Sequence, residues 1–524
     1  FQKQWIALLT PLFLLPILLI WPSQMMSCGY VMLIMIIFWC TQVVPLTITA
    51  LLPIVLLPLF GITKTGEVAS QYIKNTNTVI LGGLIVAQAI ETTGLHKRIA
   101  VHVILFVGPN IRWLMLGFQL TTALISMCIV NTAAVAMMLP ILTAVTSELH
   151  PKEPENKIEM KNMEIKVDND TDKVFSKNKI SKEARATEIA LTLSVVNAAN
   201  IGGLSTLTGT SPNLILKHFV DDWFISRGFH ESPLNFTSWL LYGVPISAMN
   251  IVILWVWFQL FYMGPRMMLG IDKSNTEDQD NRIMKSMRNE KEKMGSISFC
   301  EKIVISLFTI LIVSWFLRSP GFMPGWEIFF RHGYVGTATP PILIVFLLFI
   351  IPMHYPVRLR DGNIITILDW RSVQKNMPWG VVFLMGGGFA IGEASVKTGL
   401  STYLGTKLII LGQLPETLMI YLICFVIGML TEFASNVAVC TMLMPIVAAM
   451  ATEMGYSPLY LMLPVGVTSS LAFMLPVSNP PNALGFEFAQ LSIKDMVYSG
   501  SVLKVLTIIP VTLMTQTVTY RYFD

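Results

Sequence analysis

The sequence predicts an all-α polytopic membrane protein of about eleven transmembrane helices plus two re-entrant hairpins, arranged as two inverted repeats. Three observations predict it. Of 524 residues, 53% are hydrophobic and only 13% charged, against about 25% charged in soluble domains. The apolar runs are about 17 to 25 residues long, enough to cross a hydrocarbon core as helices, and the alternation of a barrel is missing. The chain is also written twice. Gly82-Gly83 and Gly94-Leu95 return 305 residues later as Gly387-Gly388 and Gly399-Leu400. At the same offset Asn131 and Pro140, in SMCIVNTAAVAMMLPI, answer Asn436 and Pro445, in TEFASNVAVCTMLMPI. Pro212-Asn213 answers Pro481-Asn482 at an offset of 269, and the missing 36 residues match the charged insert 151–186, which has no counterpart in the second half.

Runs at about 5–21, 29–45 and 46–61 open the chain, with Pro45 and Pro53 marking a turn or kink. The first lacks a basic flank and a cleavage site, so it reads as a span and not a signal peptide. Segments 78–93 and 98–109 follow, and His96, beside Lys97 and Arg98, reads as a helix-end interface residue. Residues 113–147 hold two arms too short to span comfortably, hence a hairpin with Asn131-Thr132 at its tip. After the insert come a span at 188–220, broken at Gly202-Gly203 and again at Gly209 to Pro212, and a span at 237–263. The second half repeats the programme: 302–318, 337–353, the glycine segment 378–400, a hairpin at 416–450, a broken span at 458–488 and a last span at 499–520. An odd number of spans inverts the repeats.

The 151–186 and 265–302 loops carry nine and eight Lys or Arg residues, while 217–237 carries two, which places both rich loops in the cytoplasm. The insert reads as a solvated loop. Asn235-Phe236-Thr237 then lies outside as a possible glycosylation acceptor, and the sequon at Asn169 inside. The six cysteines show no metal-binding spacing and read as packing residues. The net charge of +4 sits largely in loops and argues topology, with no nucleic-acid partner.

Matched breaks at membrane depth in two halves point to a secondary transporter site near the midplane. A helix that stops there leaves unpaired N–H groups and the positive end of its dipole, which attract anions. Asn131, Thr132, Ser435 and Asn436 add neutral donors, Thr206, Thr208 and Thr210 line the first break, and Ser478 and Asn479 the second. Taken singly, each is as well explained by a helix cap. Glu432 and Glu393 are the acidic residues to follow, Glu432 as a structural carboxylate or a proton carrier. GGLSTLTGT lacks the Gly-Lys-Ser/Thr ending of a phosphate loop, and neither HExxH, a nucleophile elbow nor paired catalytic carboxylates stand out, so an enzyme is not expected.

At its four breaks the chain resembles the divalent anion/sodium symporter family, which includes the sodium-coupled dicarboxylate, citrate and sulfate cotransporters, and it is closest in character to the INDY-type citrate carriers of insects. The resemblance implies a homodimer with a static scaffold and an elevator-type transport domain. It divides the chain into scaffold helices at 1–112, the first hairpin and broken helix at 113–235, further scaffold at 236–377, the second-repeat glycine segment, hairpin and broken helix at 378–498 (transport domain from about 416), and the last span at 499–524. It implies substrate contacts at Asn131, Thr132, Ser435, Asn436, Val437, Ser205, Thr206 and Pro480. For cations it implies Ser126, the position of Val130 and Asn131, with backbone near Ser205, and a second site at Thr431, Ala434, Asn436 and Ser478. Val130 stands where the family has serine, and Leu204 where relatives have threonine. Valine gives a hard cation no oxygen, so the first sodium site is expected to be weakened or absent. The expected function is therefore sodium-independent exchange of citrate and other di- and tricarboxylates, with or without protons. The alternatives are sodium-coupled symport and, from another class, an anion channel, which needs a continuous polar pore. The expected setting is the plasma membrane, with the bilayer, a small carboxylate and a second copy as partners and no cofactor beyond the coupling ion.

Overall fold

The structure is a computed structural model and describes residues 2–20, 22–149, 171–229, 232–264, 277–318, 324–331, 334–355, 359–360 and 363–519. Most of the insert (151–170), the Asn169 sequon, the loop residues 265–276 and the side chain of His96 lie outside the described residues.

The helices in chain order are α1 (Gln2–Ile20), α2 (Gln24–Thr41), α3 (Leu46–Thr49), α4 (Leu52–Leu59), α5 (Thr65–Ser70), α6 (Asn75–Thr93), α7 (Leu95–Val107), α8 (Ile111–Ser126) and α9 (Asn131–Leu149). They continue with α10 (Thr171–Gly202), α11 (Ser211–Ile225), α12 (Phe236–Phe258), α13 (Glu277–Met294), α14 (Phe299–Phe316), α15 (Thr339–Ile350) and α16 (Trp370–Asn376). The last are α17 (Trp379–Lys397), α18 (Leu400–Leu408), α19 (Glu416–Phe433), α20 (Asn436–Glu453), α21 (Pro458–Ser469), α22 (Pro480–Phe488) and α23 (Ile493–Met514). The strands among the described residues are one two-residue antiparallel pair, Leu359–Arg360 with Asn363–Ile364.

Among the described residues, seven helices are long and apolar enough to cross a membrane, or eight if Thr65–Thr93 and Lys97–Val107 form one bent span. About eleven were expected. The difference is physical: several apolar runs fold as short pieces, such as the 8-residue α4, the 12-residue α15, the 15-residue α11 and the two halves of the second broken span, α21 and α22. Proline at the first turn of α4, α11, α15, α21 and α22 starts a new helix where the preceding one cannot continue. Large apolar side chains such as Phe13, Leu19, Phe106 and Phe346 are exposed, as lipid-facing surface requires.

Both charged loops hold more helix than the sequence suggested. The insert's last residues, from Thr171, run straight into α10, and the second loop contains the polar helix α13. That helix packs on α7 and α9. Glu290 accepts from Lys97 (2.9 Å) and Lys293 (2.7 Å), and these hydrogen bonds, Lys293 first, hold its carboxyl down to about 2. Just beyond α13, Arg98 donates to the carbonyls of Met294, Gly295 and Ser296 and pairs with Glu301 at 3.0 Å.

Packing gathers the helices into two clusters. In one, α8 to α12 pack together with α19 to α23; in the other, α2, α4, α6, α14, α15 and α17 pack with one another. The clusters meet where α17 lies on α20 and α6 on α11, and they are bridged by α7, which lies on α8, and α18, which lies on α20. The sequence division put α12 with the scaffold and α23 apart, but α12 packs on α10 and α23, and α23 on α19.

The glycine segments make close approaches possible. A Cβ at Gly387 would overlap the Ala50 carbonyl, and one at Gly82 would lie 2.8 Å from Pro341 Cβ, whereas Gly83 has open space around it. Gly387→Ala is expected to cost about 1–3 kcal/mol through overpacking and Gly83→Ala to be tolerated. Size-exclusion profiles and melting of the two detergent-solubilised variants check this.

Candidate substrate and cation site

Each hairpin turns over within a few residues, α8 ending at Ser126 with α9 beginning at Asn131, and α19 ending at Phe433 with α20 beginning at Asn436. Each hairpin tip faces a broken helix. The first break runs from Gly202 through a 3-10 turn, Gly203–Ser205, to Ser211; the second from Ser469 to Pro480. A Cβ at Gly203 would come within 2.6 Å of Asn131 Oδ1, so glycine is what lets the first tip seat against the break.

One asparagine closes each break. Asn213 Nδ2 donates to the carbonyls of Gly203 (3.1 Å) and Thr206 (2.8 Å); Asn482 Nδ2 donates to those of Ala472 (3.2 Å) and Leu475 (3.1 Å). Donor and acceptors are all related by the offset of 269 that the sequence shows. These contacts satisfy carbonyls that an interrupted helix leaves open.

Behind each tip, three oxygens converge. Ser126 Oγ lies 2.6 Å from Asn131 Oδ1 and 2.7 Å from the Ala199 carbonyl; Thr431 Oγ1 lies 2.7 Å from Asn436 Oδ1 and 2.7 Å from the Ser469 carbonyl. A hydroxyl has one proton and can serve one of its two neighbours. Clusters of neutral oxygens short of protons have the chemistry of a small hard cation's ligands. The first cluster forms without any contribution from the Val130 side chain. Across the repeats, Asn131 Nδ2 reaches Asn200 Oδ1 (3.4 Å), and Asn200 Nδ2 donates to Asn482 Oδ1 (3.2 Å) and the Ala472 carbonyl (3.1 Å).

The two breaks differ in charge. Glu432 accepts the N–H groups of Phe473, Met474 and Leu475 at 2.9–3.3 Å and pairs with Lys504 at 2.6 Å, both side chains being about 1% exposed. Lys504 also donates to the carbonyls of Gly428 and Leu471. Glu432 thus ties the second break to Lys504 on α23. At the matching place in the first repeat stands Met127, whose carbonyl accepts from Thr206 Oγ1 at 2.7 Å. Glu393 is half-buried, lies 3.9 Å from Lys74 and does not line the cavity.

A cavity of about 1140 Å³ lies between the tips, the breaks and the other cluster. Val130, Asn131, Thr132, Ser435, Asn436 and Val437 line it from the tips, and Thr206, Thr208, Thr210, Ser478, Asn479 and Pro480 from the breaks. The opposite wall is apolar, with Val79, Leu84, Leu311, Trp315 and Leu384. Ser126 and Thr431 are fully buried behind the asparagines. Ser205 and Ala434 are buried and do not line the cavity, and the Ser205 carbonyl faces Gly243 instead. Asn200, which links the two repeats, went unnoticed in the sequence because an asparagine inside an apolar helical run carries no motif. The first residues of α9, α11, α20 and α22 all line the cavity, so four helix N-termini bring partial positive charge to it. Its described lining holds no Lys or Arg and one carboxylate, Glu487. Such a site suits an anion held by neutral donors and dipoles. Asn235, of the sequon Asn235-Phe236-Thr237, caps α12 in a capping box with Ser238.

Removing one partner of a buried ion pair strands the other charge, at about 3–5 kcal/mol. Lys504→Met alone should therefore lower the melting temperature sharply, and Lys504→Met with Glu432→Gln should recover much of the loss. Thermal unfolding of the purified variants checks this.

Comparison with known proteins shows the family. The model of the sodium:sulfate symporter transmembrane region matches residues 3–521. The Na(+)/citrate cotransporter of Rattus norvegicus is 37% identical over 99% of this chain and 94% of its own length. Solute carrier family 13 member 2 of Homo sapiens is 36% identical over 98% and 92%, and the Na(+)/dicarboxylate cotransporter 3 of Rattus norvegicus is 35% identical over 98% and 91%. With a family model covering nearly the whole chain and relatives above a third identical along its length, this transporter belongs to the sodium:sulfate symporter family.

Proposed function

We propose that the protein is a sodium-coupled symporter that carries citrate and related di- and tricarboxylates by alternating access. The observation that carries the reading is the pair of oxygen clusters behind the tip asparagines. Asn131 and Asn436 each give their Oδ1 to a cluster while standing as the first residue of a helix whose N-terminus lines the cavity. Cation and anion thereby share a residue at each tip, so binding one orders the site for the other, the linkage that coupling needs. Relatives named as cotransporters of sodium with citrate or dicarboxylate support the same reading.

The sodium-independent exchange expected from Val130 gives way here. Valine removes one hydroxyl, yet Ser126 Oγ, Asn131 Oδ1 and the Ala199 carbonyl still converge. Bare transfer of a multivalent anion across a low-dielectric barrier is costly, and no Lys or Arg among the described lining residues offsets it. Co-bound sodium ions would supply that compensation. In this scheme the cluster of α8 to α12 with α19 to α23 is the moving unit, and the α2, α6, α14, α15 and α17 cluster is the scaffold through which two copies pair in the plasma membrane.

Labelled citrate uptake into proteoliposomes, with sodium or choline outside, tests the reading. Uptake should require sodium; equal uptake in choline, stimulated by internal citrate, would restore exchange. Val130→Ser should raise apparent sodium affinity several-fold. Asn131→Ala or Asn436→Ala should cut uptake by about 10-fold or more, the loss of one or two buried polar contacts of about 1–3 kcal/mol each.

A further inference from the structure

We propose a third cation site, for sodium, buried among α8, α10 and α12 beneath the first break and separate from the two tip clusters; it rests on the sodium-coupled reading. Its residues are Gln119, Ser194, Asn197, Ser247 and Asn250.

Three contacts set the register of α12 against α10. Trp239 Nε1 donates to the Leu204 carbonyl (3.0 Å), a Cβ on Gly243 would lie 2.6 Å from that same carbonyl, and Ser247 Oγ donates to the Ile201 carbonyl (3.0 Å). The helices run antiparallel here, so Asn250, one turn after Ser247, falls at the level of Asn197, one turn before Ile201. On the third side, Gln119 Nε2 donates to Ser194 Oγ at 3.1 Å, and Ser194 shares the face of Asn197 three residues on.

The burial of these groups is complete and their bonding is not. Asn197 is 1% exposed, Asn250 and Gln119 are 0% exposed. Neither the oxygen nor the nitrogen of either asparagine amide has a partner among the described residues, and Gln119 Oε1 has none. Buried polar groups are almost always paired, and an exception in a well-packed bundle calls for a bound species.

The second repeat shows that the fold does not need these amides. Gln119 corresponds to Cys424 at the offset of 305, and Val467 stands at the place of Asn197 at the offset of 270 that relates the Ile201 and Leu471 carbonyls. Lys504 binds the Leu471 carbonyl as Ser247 binds that of Ile201, which sets Thr507 opposite Asn250. Thr507 donates to the Lys504 carbonyl at 3.1 Å, so it is satisfied within its own helix. Where the second repeat packs thiol, aliphatic and self-bonded hydroxyl groups around a fixed ammonium, the first places three amide oxygens and two hydroxyls. Neutral oxygens without a carboxylate suit a monovalent hard cation better than a divalent one. Asn197 lies one turn from Asn200, the residue that bridges both breaks, so an ion here would stiffen the helix that carries the tip contacts.

The test gives the first repeat the second repeat's residues, in Asn197→Val with Asn250→Thr. Citrate uptake into proteoliposomes is measured against external sodium, and the melting of purified protein with sodium or choline. The double variant should keep sodium-dependent uptake while its Hill coefficient for sodium falls by about one, and its sodium-induced rise in melting temperature should shrink. An unchanged Hill coefficient and an unchanged sodium-induced rise would overturn the site and leave the cluster to water. Wild-type uptake indifferent to sodium would instead defeat the symporter reading, and the melting comparison would still decide the site. Should the double variant fail to fold, Asn250→Asp serves: an added carboxylate should lower the sodium midpoint several-fold, and an unchanged midpoint would count against the site.

Discussion

An interrupted helix inside a membrane is the constraint on which this structure depends. Carbonyls and N–H groups that a break exposes find no water in the hydrocarbon core, so the protein must satisfy them itself. Asn213 and Asn482 do so by the same pair of bonds in each repeat. The prolines beside them start the next helical half, whose N-terminus then lines the cavity. In the proposed function the groups left over by the breaks, N–H ends on one side and carbonyls on the other, serve as anion and cation ligands. Asn131 and Asn436 lie between the two, each with its Oδ1 in an oxygen cluster and its backbone at a helix N-terminus on the cavity.

Symmetry and its violations divide the labour. The asparagine locks and the oxygen clusters occur twice, as a carrier with two hairpin tips requires. The supports behind the breaks do not. The second break is held by a buried ion pair, Glu432 with Lys504, that collects three N–H groups and two carbonyls. The first is held by neutral groups, the hydroxyls of Thr206 on Met127 and Ser247 on Ile201 and the indole N–H of Trp239 on Leu204. A charged clamp costs desolvation and returns fixed geometry, while a hydroxyl is easier to re-pair. The first break is thus the more adaptable of the two, and the unpartnered amides of Asn197 and Asn250 lie beneath it.

The fold class and the tip residues were legible in the sequence because they come in repeated, spaced pairs. Asn131 with Asn436 and Asn213 with Asn482 keep their offsets in the contacts they make, while Gly82 and Gly387 share a close approach to different neighbours, Pro341 and Ala50. Helix lengths were less legible, since an apolar run does not say whether it folds as one span or as two short pieces meeting at a proline. Asn200 and Lys504 were invisible for another reason: each is a lone polar residue in an apolar helix, and its meaning depends on which distant carbonyl it meets. Val130 is legible only as a missing hydroxyl. The resemblance already grouped Ser126 and Asn131, but which backbone joins them was not legible: the carbonyl that meets Ser126 is that of Ala199, and the Ser205 carbonyl faces Gly243.

Shared use of Asn131 and Asn436 by cation and anion is the central claim, and equilibrium binding tests it without transport. Citrate binding to the purified protein would be followed by calorimetry at a series of sodium concentrations, with choline holding ionic strength constant. The account predicts that citrate affinity climbs steeply with sodium and that citrate tightens sodium by the same factor. A citrate affinity equal in sodium and choline would contradict it.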